Sequence, residues 1–164
     1  MLPGPTYVYE CSSCHGFFRR RSISSGNTFN ARYRSDGRME APMLPTTPLL
    51  TACPHCKSPV FWPNTNVIAS YETYIPGFFN LSEPDLKQLE YEKQQFELKT
   101  KYQGEPEYAE ATSTQVAEFL KNNELSDEQE HSLRMQFWWF SNDARIEGNS
   151  GDLSSEERTN LKKL

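Results

Sequence analysis

The chain contains no apolar run approaching the roughly 18 residues that cross a bilayer, and its mean hydropathy of -0.76 also argues against a membrane protein. Met1-Leu2-Pro3-Gly4-Pro5 has neither the basic start nor the apolar stretch of a secretory signal, so the expected address is the cytoplasm. There is no H-E-x-x-H, no Walker-type glycine loop and no G-x-S-x-G, and no nucleophile stands beside a base; the chain is expected not to be an enzyme. Cysteine is absent after residue 56, and of eleven prolines only Pro106 lies beyond residue 84.

What is present divides along the same line. Residues 1 to 80 carry seven basic and four acidic side chains, net +3, and the remaining 84 carry ten and eighteen, net -8. Prolines disfavour long helices in the first half, whereas Glu, Lys, Gln and Leu favour them in the second. The expected fold class is α+β: a zinc-ribbon-like β module over residues 1–63, a linker over 64–81, and an all-α module of about four helices over 82–164.

Cys11-Ser12-Ser13-Cys14 and Cys53-Pro54-His55-Cys56 are two C-x2-C pairs separated by residues 15 to 52. Two residues between cysteines let a tight turn aim both sulfurs at one ion, and two such turns complete a tetrahedral S4 shell, so Cys11, Cys14, Cys53 and Cys56 are the expected metal ligands. Zn2+ in a structural role is the expected cofactor, with iron as the alternative. A disulfide framework fits a reduced compartment poorly. The C-x-x-C-H match at Cys11 to His15 suggests covalent haem, but that chemistry expects export and leaves Cys53 and Cys56 unused. Cys53-Pro54-His55-Cys56 matches an oxidising dithiol, yet Pro59 and Pro63 oppose the helix such a thiolate requires. His15 and His55 are expected to be exposed knuckle residues and His131 to be solvated.

Thr6 to Tyr9, Phe17-Phe18 and Val60 to Trp62 read as strands around the knuckles. Phe29, Ala31 and Tyr33 alternate before the turn Ser35-Asp36-Gly37, and Arg38-Met39-Glu40 returns as a partner strand. Met43 to Pro48 is expected to be extended and unpaired. Arg19, Arg20 and Arg21 are weak candidates for phosphate or nucleic-acid contact. Four thiolates and one Zn2+ would reduce the module's charge to about +1, which favours the arginines as counter-charges or as guards of a sheet edge.

In the second half, Ser82 and Pro84 open a first helix whose buried side is expected at Leu86, Leu89, Phe96 and Tyr102, ended by Gly104 and Pro106. Tyr108, Thr112, Val116, Phe119 and Leu120 give the period of a second. Ser126 to Gln129 is a capping box for a third, carrying Leu133, Phe137, Phe140 and Ala144 inward. Ser154 to Glu157 starts a fourth, expected to run to Leu164 and to be compatible with a natural chain that continues. Within Phe137-Trp138-Trp139-Phe140 four consecutive residues cannot all face one core, so Trp138 and Trp139 are a weak candidate partner surface. Asn142, Asp143 and Arg145 follow as a polar site or as the polar side of the same helix.

Ser25-Gly26-Asn27-Thr28-Phe29, Ser35-Asp36-Gly37-Arg38-Met39 and Ala41-Pro42-Met43-Leu44-Pro45 between two C-x2-C knuckles, with Trp138-Trp139 and Asn142-Asp143 downstream, resemble a group of uncharacterised bacterial proteins. These have an N-terminal zinc-ribbon-like segment and a helical, sometimes tetratricopeptide-like, C-terminal region. The group has no established activity, so the resemblance carries over only the four metal ligands, Cys11, Cys14, Cys53 and Cys56. No period of ~34 residues recurs in this chain. The functional expectation is a zinc-stabilised binding or scaffold protein with a protein partner; the alternatives are a nucleic-acid-binding zinc ribbon and rubredoxin-like electron transfer.

Overall fold

The computed structural model describes residues 1–73, 86–146, 148 and 152–164. In chain order it contains β1 (Leu2–Glu10), β2 (Phe17–Ser25), β3 (Arg32–Tyr33), β4 (Met39–Glu40), β5 (Leu50–Ala52), β6 (Pro59–Phe61), a 3-10 turn (Trp62–Asn64), β7 (Val67–Tyr71), α1 (Leu86–Tyr102), β8 (Ala109–Glu110), α2 (Ser113–Asn122), α3 (Asp127–Ile146) and α4 (Ser155–Leu161). The protein is α+β, with small antiparallel sheets and four helices among the described residues. No described helix is long and apolar enough to cross a membrane.

One sheet has the order β2-β1-β7, with Val8 opposite both Arg19 and Ala69. Gly4, Thr6 and Val8 point inward along β1 at the two-residue period of a strand, and Tyr9 is buried beside them. Pro3 and Pro5 fall where β1 pairs with β2 alone and the register shifts, which is where a residue without an N–H is tolerated. The other three-stranded sheet has the order β6-β5-β8, and all three residues of β5 are buried. The expected hairpin closes as β3–β4, with Tyr33 opposite Met39 and Gly37 at φ +81° in its turn.

Several expectations change. Val67–Tyr71, inside the segment read as a linker, is a strand of the first sheet, drawn there by Tyr71 (3 % exposed) and pairing with β1. Ala109–Glu110, read as helix, pairs with β5; Thr112 is the N-cap of α2, closing a capping box with Gln115, and Tyr108 packs edge-on against Trp62 instead of lining a helix. On α1, Leu86 and Phe96 are exposed, because the helix meets the sheet through Gln95, Leu98 and Tyr102, on the opposite side from Leu86, Leu89 and Phe96. The expected cap at Ser82 and Pro84 lies outside the described residues. The Ser126 and Ser154 capping boxes form as expected, but α4 ends at Leu161, three residues short of Leu164.

Three apolar clusters follow from this arrangement. The largest joins Leu50 and Phe61 of the β5–β6 hairpin to Ala111, Val116, Leu133 and Phe137, so it draws on both halves of the sequence. A second, of Tyr9, Cys11, Phe18, Cys53 and Val60 with Trp62 and Tyr108 at its edge, lies under the cysteines. The third holds Val8, Tyr71 and Tyr102 between the first sheet and α1.

Candidate metal centre

Each C-x2-C pair is the turn of a hairpin: Cys11 and Cys14 join β1 to β2, and Cys53 and Cys56 join β5 to β6. The two turns repeat one backbone design. Cys11 N donates to Gly16 O at 3.0 Å and His15 N to Cys11 O at 2.9 Å; Cys53 N donates to Ser58 O at 2.9 Å and Lys57 N to Cys53 O at 3.0 Å. In each, the residue after the second cysteine takes the left-handed conformation, His15 at φ 58° and Lys57 at φ 62°. The first cysteine of each pair is buried and the second exposed.

The four sulfurs lie within 4.8 Å of one another. Cys11 Sγ is 3.7 Å from Cys56 Sγ, and Cys14 Sγ is 3.8 Å from Cys53 Sγ. Four metal–sulfur bonds of about 2.3 Å arranged tetrahedrally span edges of about 3.8 Å, so the donor set has the size and chemistry of an S4 metal site. The four cysteines can therefore hold a metal ion.

Without a cation the thiols interfere with one another's ionisation. At Cys14 the Gly16 amide favours the thiolate, but the neighbouring sulfur of Cys56, desolvation, and the sulfurs of Cys11 and Cys53 outweigh it and push the thiol up to about 12. Burial pushes Cys53 up as well. The Ser58 hydroxyl and amide pull Cys56 down to about 6. Four thiolates this close require a cation to ionise together, so metal uptake releases protons.

The neighbouring histidines, both exposed as expected, have other partners. His15 Nδ1 is 2.6 Å from Glu10 Oε1, and His55 Nε2 is 2.8 Å from the Phe17 carbonyl oxygen. His55 also lies over Gly16, where a Cβ would come within 2.6 Å of its ring. His131 is exposed.

The three consecutive arginines are distributed over β2 to three different intramolecular tasks. Arg19 donates from Nε to the Glu105 carbonyl at 2.6 Å, while its backbone is hydrogen-bonded by Pro106 and Tyr108. Arg20 stacks over Trp62 at 4.6 Å from the ring centroid. Arg21 pairs with Glu107 at 2.7 Å. Residues 105 to 108 thus run along the outer edge of β2, held by the backbone and side chain of Arg19 and by the side chain of Arg21.

A second constellation joins motifs that lie about 100 residues apart. Arg38 of the β3–β4 turn makes a bidentate pair with Asp143 on α3, and Arg34 adds a contact to the same carboxylate at 3.2 Å. Asn142 Nδ2 donates to Asp36 at 2.8 Å, and Trp139 Nε1 donates to the Asp36 carbonyl at 3.2 Å. Burial pushes the Asp36 carboxyl up, but the bonds from Asn142 and the Arg38 amide, with the charges of Arg38 and Arg34, hold it below the usual range. Trp138 and Trp139 are both half-buried, Trp138 lying beside the Arg145 guanidinium. Beside this constellation an open cleft of about 1480 Å³ runs between α3 and the 42–48 segment, lined among others by Met39, Met135, Trp139, Phe140, Arg32 and His131.

Sequence reasoning missed Gln136. It is buried on α3, accepts from Leu50 N at 3.1 Å and donates to Leu50 O at 2.7 Å, completing the β5 edge where β8 has ended. A glutamine on the Leu133–Phe137 face was its only signal in the sequence. Compared with models of protein families, with curated proteins and with solved structures, the chain finds no match.

Proposed function

We propose that the protein is a zinc-stabilised binding or scaffold protein of the kind its sequence resembles, a zinc ribbon carried on a helical body and working through contacts with another protein. The observation that carries this reading is the closed sulfur shell: four thiols at tetrahedral spacing leave no position for a substrate or water, which suits a structural metal and not a catalytic one. Cys11, Cys14, Cys53 and Cys56 would hold the ion, which would supply folding free energy to a module with few apolar residues. The cleft beside Trp139 supports a binding role because its lining combines apolar side chains with charged ones such as Arg32 and Asp143. The internal partners of Arg19, Arg20 and Arg21 weigh against nucleic acid, since guanidinium groups held by a carbonyl, a ring and a carboxylate are poorly placed for phosphate.

The exposure of Cys14 and Cys56 favours one second reading, rubredoxin-like electron transfer, because iron accepts the same four sulfurs and exposed sulfur shortens the path for an electron. One sample separates the two. Elemental analysis of the purified chain is expected to give about one zinc per chain and a colourless solution. Iron with a red colour would establish the second reading, and no metal would end both. Submicromolar binding of an oligonucleotide at ~0.15 M salt would displace the protein-partner reading.

A further inference from the structure

The four sulfurs differ in access, and the difference pairs them. Cys11 and Cys53 are 3 % and 0 % exposed, whereas Cys14 and Cys56 are exposed. The short cross-knuckle contacts each join one sulfur of each kind: Cys56 to Cys11 at 3.7 Å and Cys14 to Cys53 at 3.8 Å. An oxidant in solution meets one sulfur of each pair while the other is shielded beneath it.

We propose that this centre is a peroxide-sensitive switch in which oxidation closes Cys11–Cys56 and Cys14–Cys53, releases the metal and leaves the two knuckles covalently joined. The inference rests on the metal reading above. The exposed thiolate of each pair attacks a peroxide oxygen; the O–O bond breaks, hydroxide leaves, and the sulfur, oxidised by two electrons, keeps the remaining OH as a sulfenic acid. The buried thiolate then attacks that sulfur, the S–S bond forms and the S–O bond breaks with loss of a second hydroxide. Each pair thus consumes one peroxide and converts two thiolates into one disulfide and two hydroxides. Two pairs leave no thiolate to hold the ion. Bond formation requires each sulfur pair to close from its present contact to about 2.05 Å.

Joining across the knuckles, and not within them, gives the switch its character. Cys11 and Cys14 belong to the β1–β2 hairpin and Cys53 and Cys56 to the β5–β6 hairpin, so the two disulfides reproduce the metal's link between hairpins. Oxidised protein is then metal-free yet still tied, whereas chelated, reduced protein is metal-free and untied.

The experiment uses the full chain, loaded with zinc and shown by elemental analysis to hold it; failure at that stage rejects the metal reading and not the switch alone. Hydrogen peroxide is added, free zinc is followed with a chromophoric chelator, and the product is digested with trypsin without reduction. Cleavage after Arg19, Arg38 and Lys57 places the first knuckle on residues 1–19 and the second on residues 39–57. The expected result is zinc release in step with thiol loss, the two peptides linked, fragment spectra placing the bonds at Cys11–Cys56 and Cys14–Cys53, and a melting temperature above that of the chelated protein. Separate peptides with disulfides inside each knuckle, links at Cys11–Cys53 and Cys14–Cys56, sulfinic or sulfonic acids in place of disulfides, or zinc retained through the treatment would each overturn it.

Discussion

The sheet β6-β5-β8 and the sheet β2-β1-β7 both lean on a helix, and in each a helical glutamine bonds the backbone of a strand or of the residue that follows it. Gln136 of α3 makes two hydrogen bonds to Leu50; Gln95 of α1 makes one, accepting from Glu72 N at 2.8 Å. Behind the first lies a core of Leu50, Phe61, Val116, Leu133 and Phe137 drawn from two hairpin strands and two helices. Among the described residues, Val8, Tyr71 and Tyr102 lie behind the second, with Phe17, Ala69 and Leu98 partly buried, and the far side of α1 leaves Phe96 65 % exposed. The contrast indicates where a metal matters most. The candidate ligands come from the tip of one hairpin in each sheet, so an ion held there would tie the sheet with the smaller described core to the other, over the shared aromatic cluster of Tyr9, Phe18 and Trp62.

Loss of the metal is the harshest test of that contrast. Chelation at neutral pH, or Cys53→Ser, removes binding energy on the order of 10 kcal/mol in small zinc modules, comparable to the whole stability of a domain. Hydrogen exchange should show β1, β2 and β7 losing protection first and most, with α2 and α3 keeping theirs. Simultaneous loss in every element would mean one cooperative unit and would break the distinction between the two sheets.

The glutamines give a smaller and sharper comparison. Gln136→Met leaves a buried N–H and a buried carbonyl without partners, about 1–3 kcal/mol for each group. Gln95→Met orphans one amide near the surface, and its cost should be about 1 kcal/mol. Denaturant midpoints that fall equally for the two variants would show that the two sheets lean on their helices alike.

The smallest effect concerns the hairpin that docks on α3. The Asp36 carboxyl is held below its unfolded value of about 3.9. Its contribution is therefore fully present well above the unfolded value and is lost as pH falls through that value and the depressed folded one. Between pH 6 and 3 the wild type should lose more melting temperature than Asp36→Asn. Parallel curves would remove Asp36 from the account.

Short-range chemistry made the metal site and several helix ends legible in the sequence. Two C-x2-C pairs specify a site whatever surrounds them, the Ser126 and Ser154 boxes act within four residues, and Gly37 marks its own turn. What stayed hidden depends on partners distant in the chain. Val67–Tyr71 and Ala109–Glu110 are strands because β1 and β5 have free edges to offer, which no local pattern announces. Leu86 and Phe96 looked buried because α1 carries apolar residues on two sides, and only the sheet decides which side is covered. Arg19, Arg20 and Arg21 are consecutive in the chain, yet their partners Glu105, Trp62 and Glu107 come from two separate segments.

The central claim, that one ion joins the tips of the β1–β2 and β5–β6 hairpins through four sulfurs, is tested most directly by X-ray absorption at the metal edge of the purified full chain. The account predicts zinc with four sulfur neighbours at about 2.3 Å and no nitrogen. A shell containing nitrogen at about 2.0 Å, with His15 or His55 replacing a cysteine, or a chain that carries no metal at all, would contradict it.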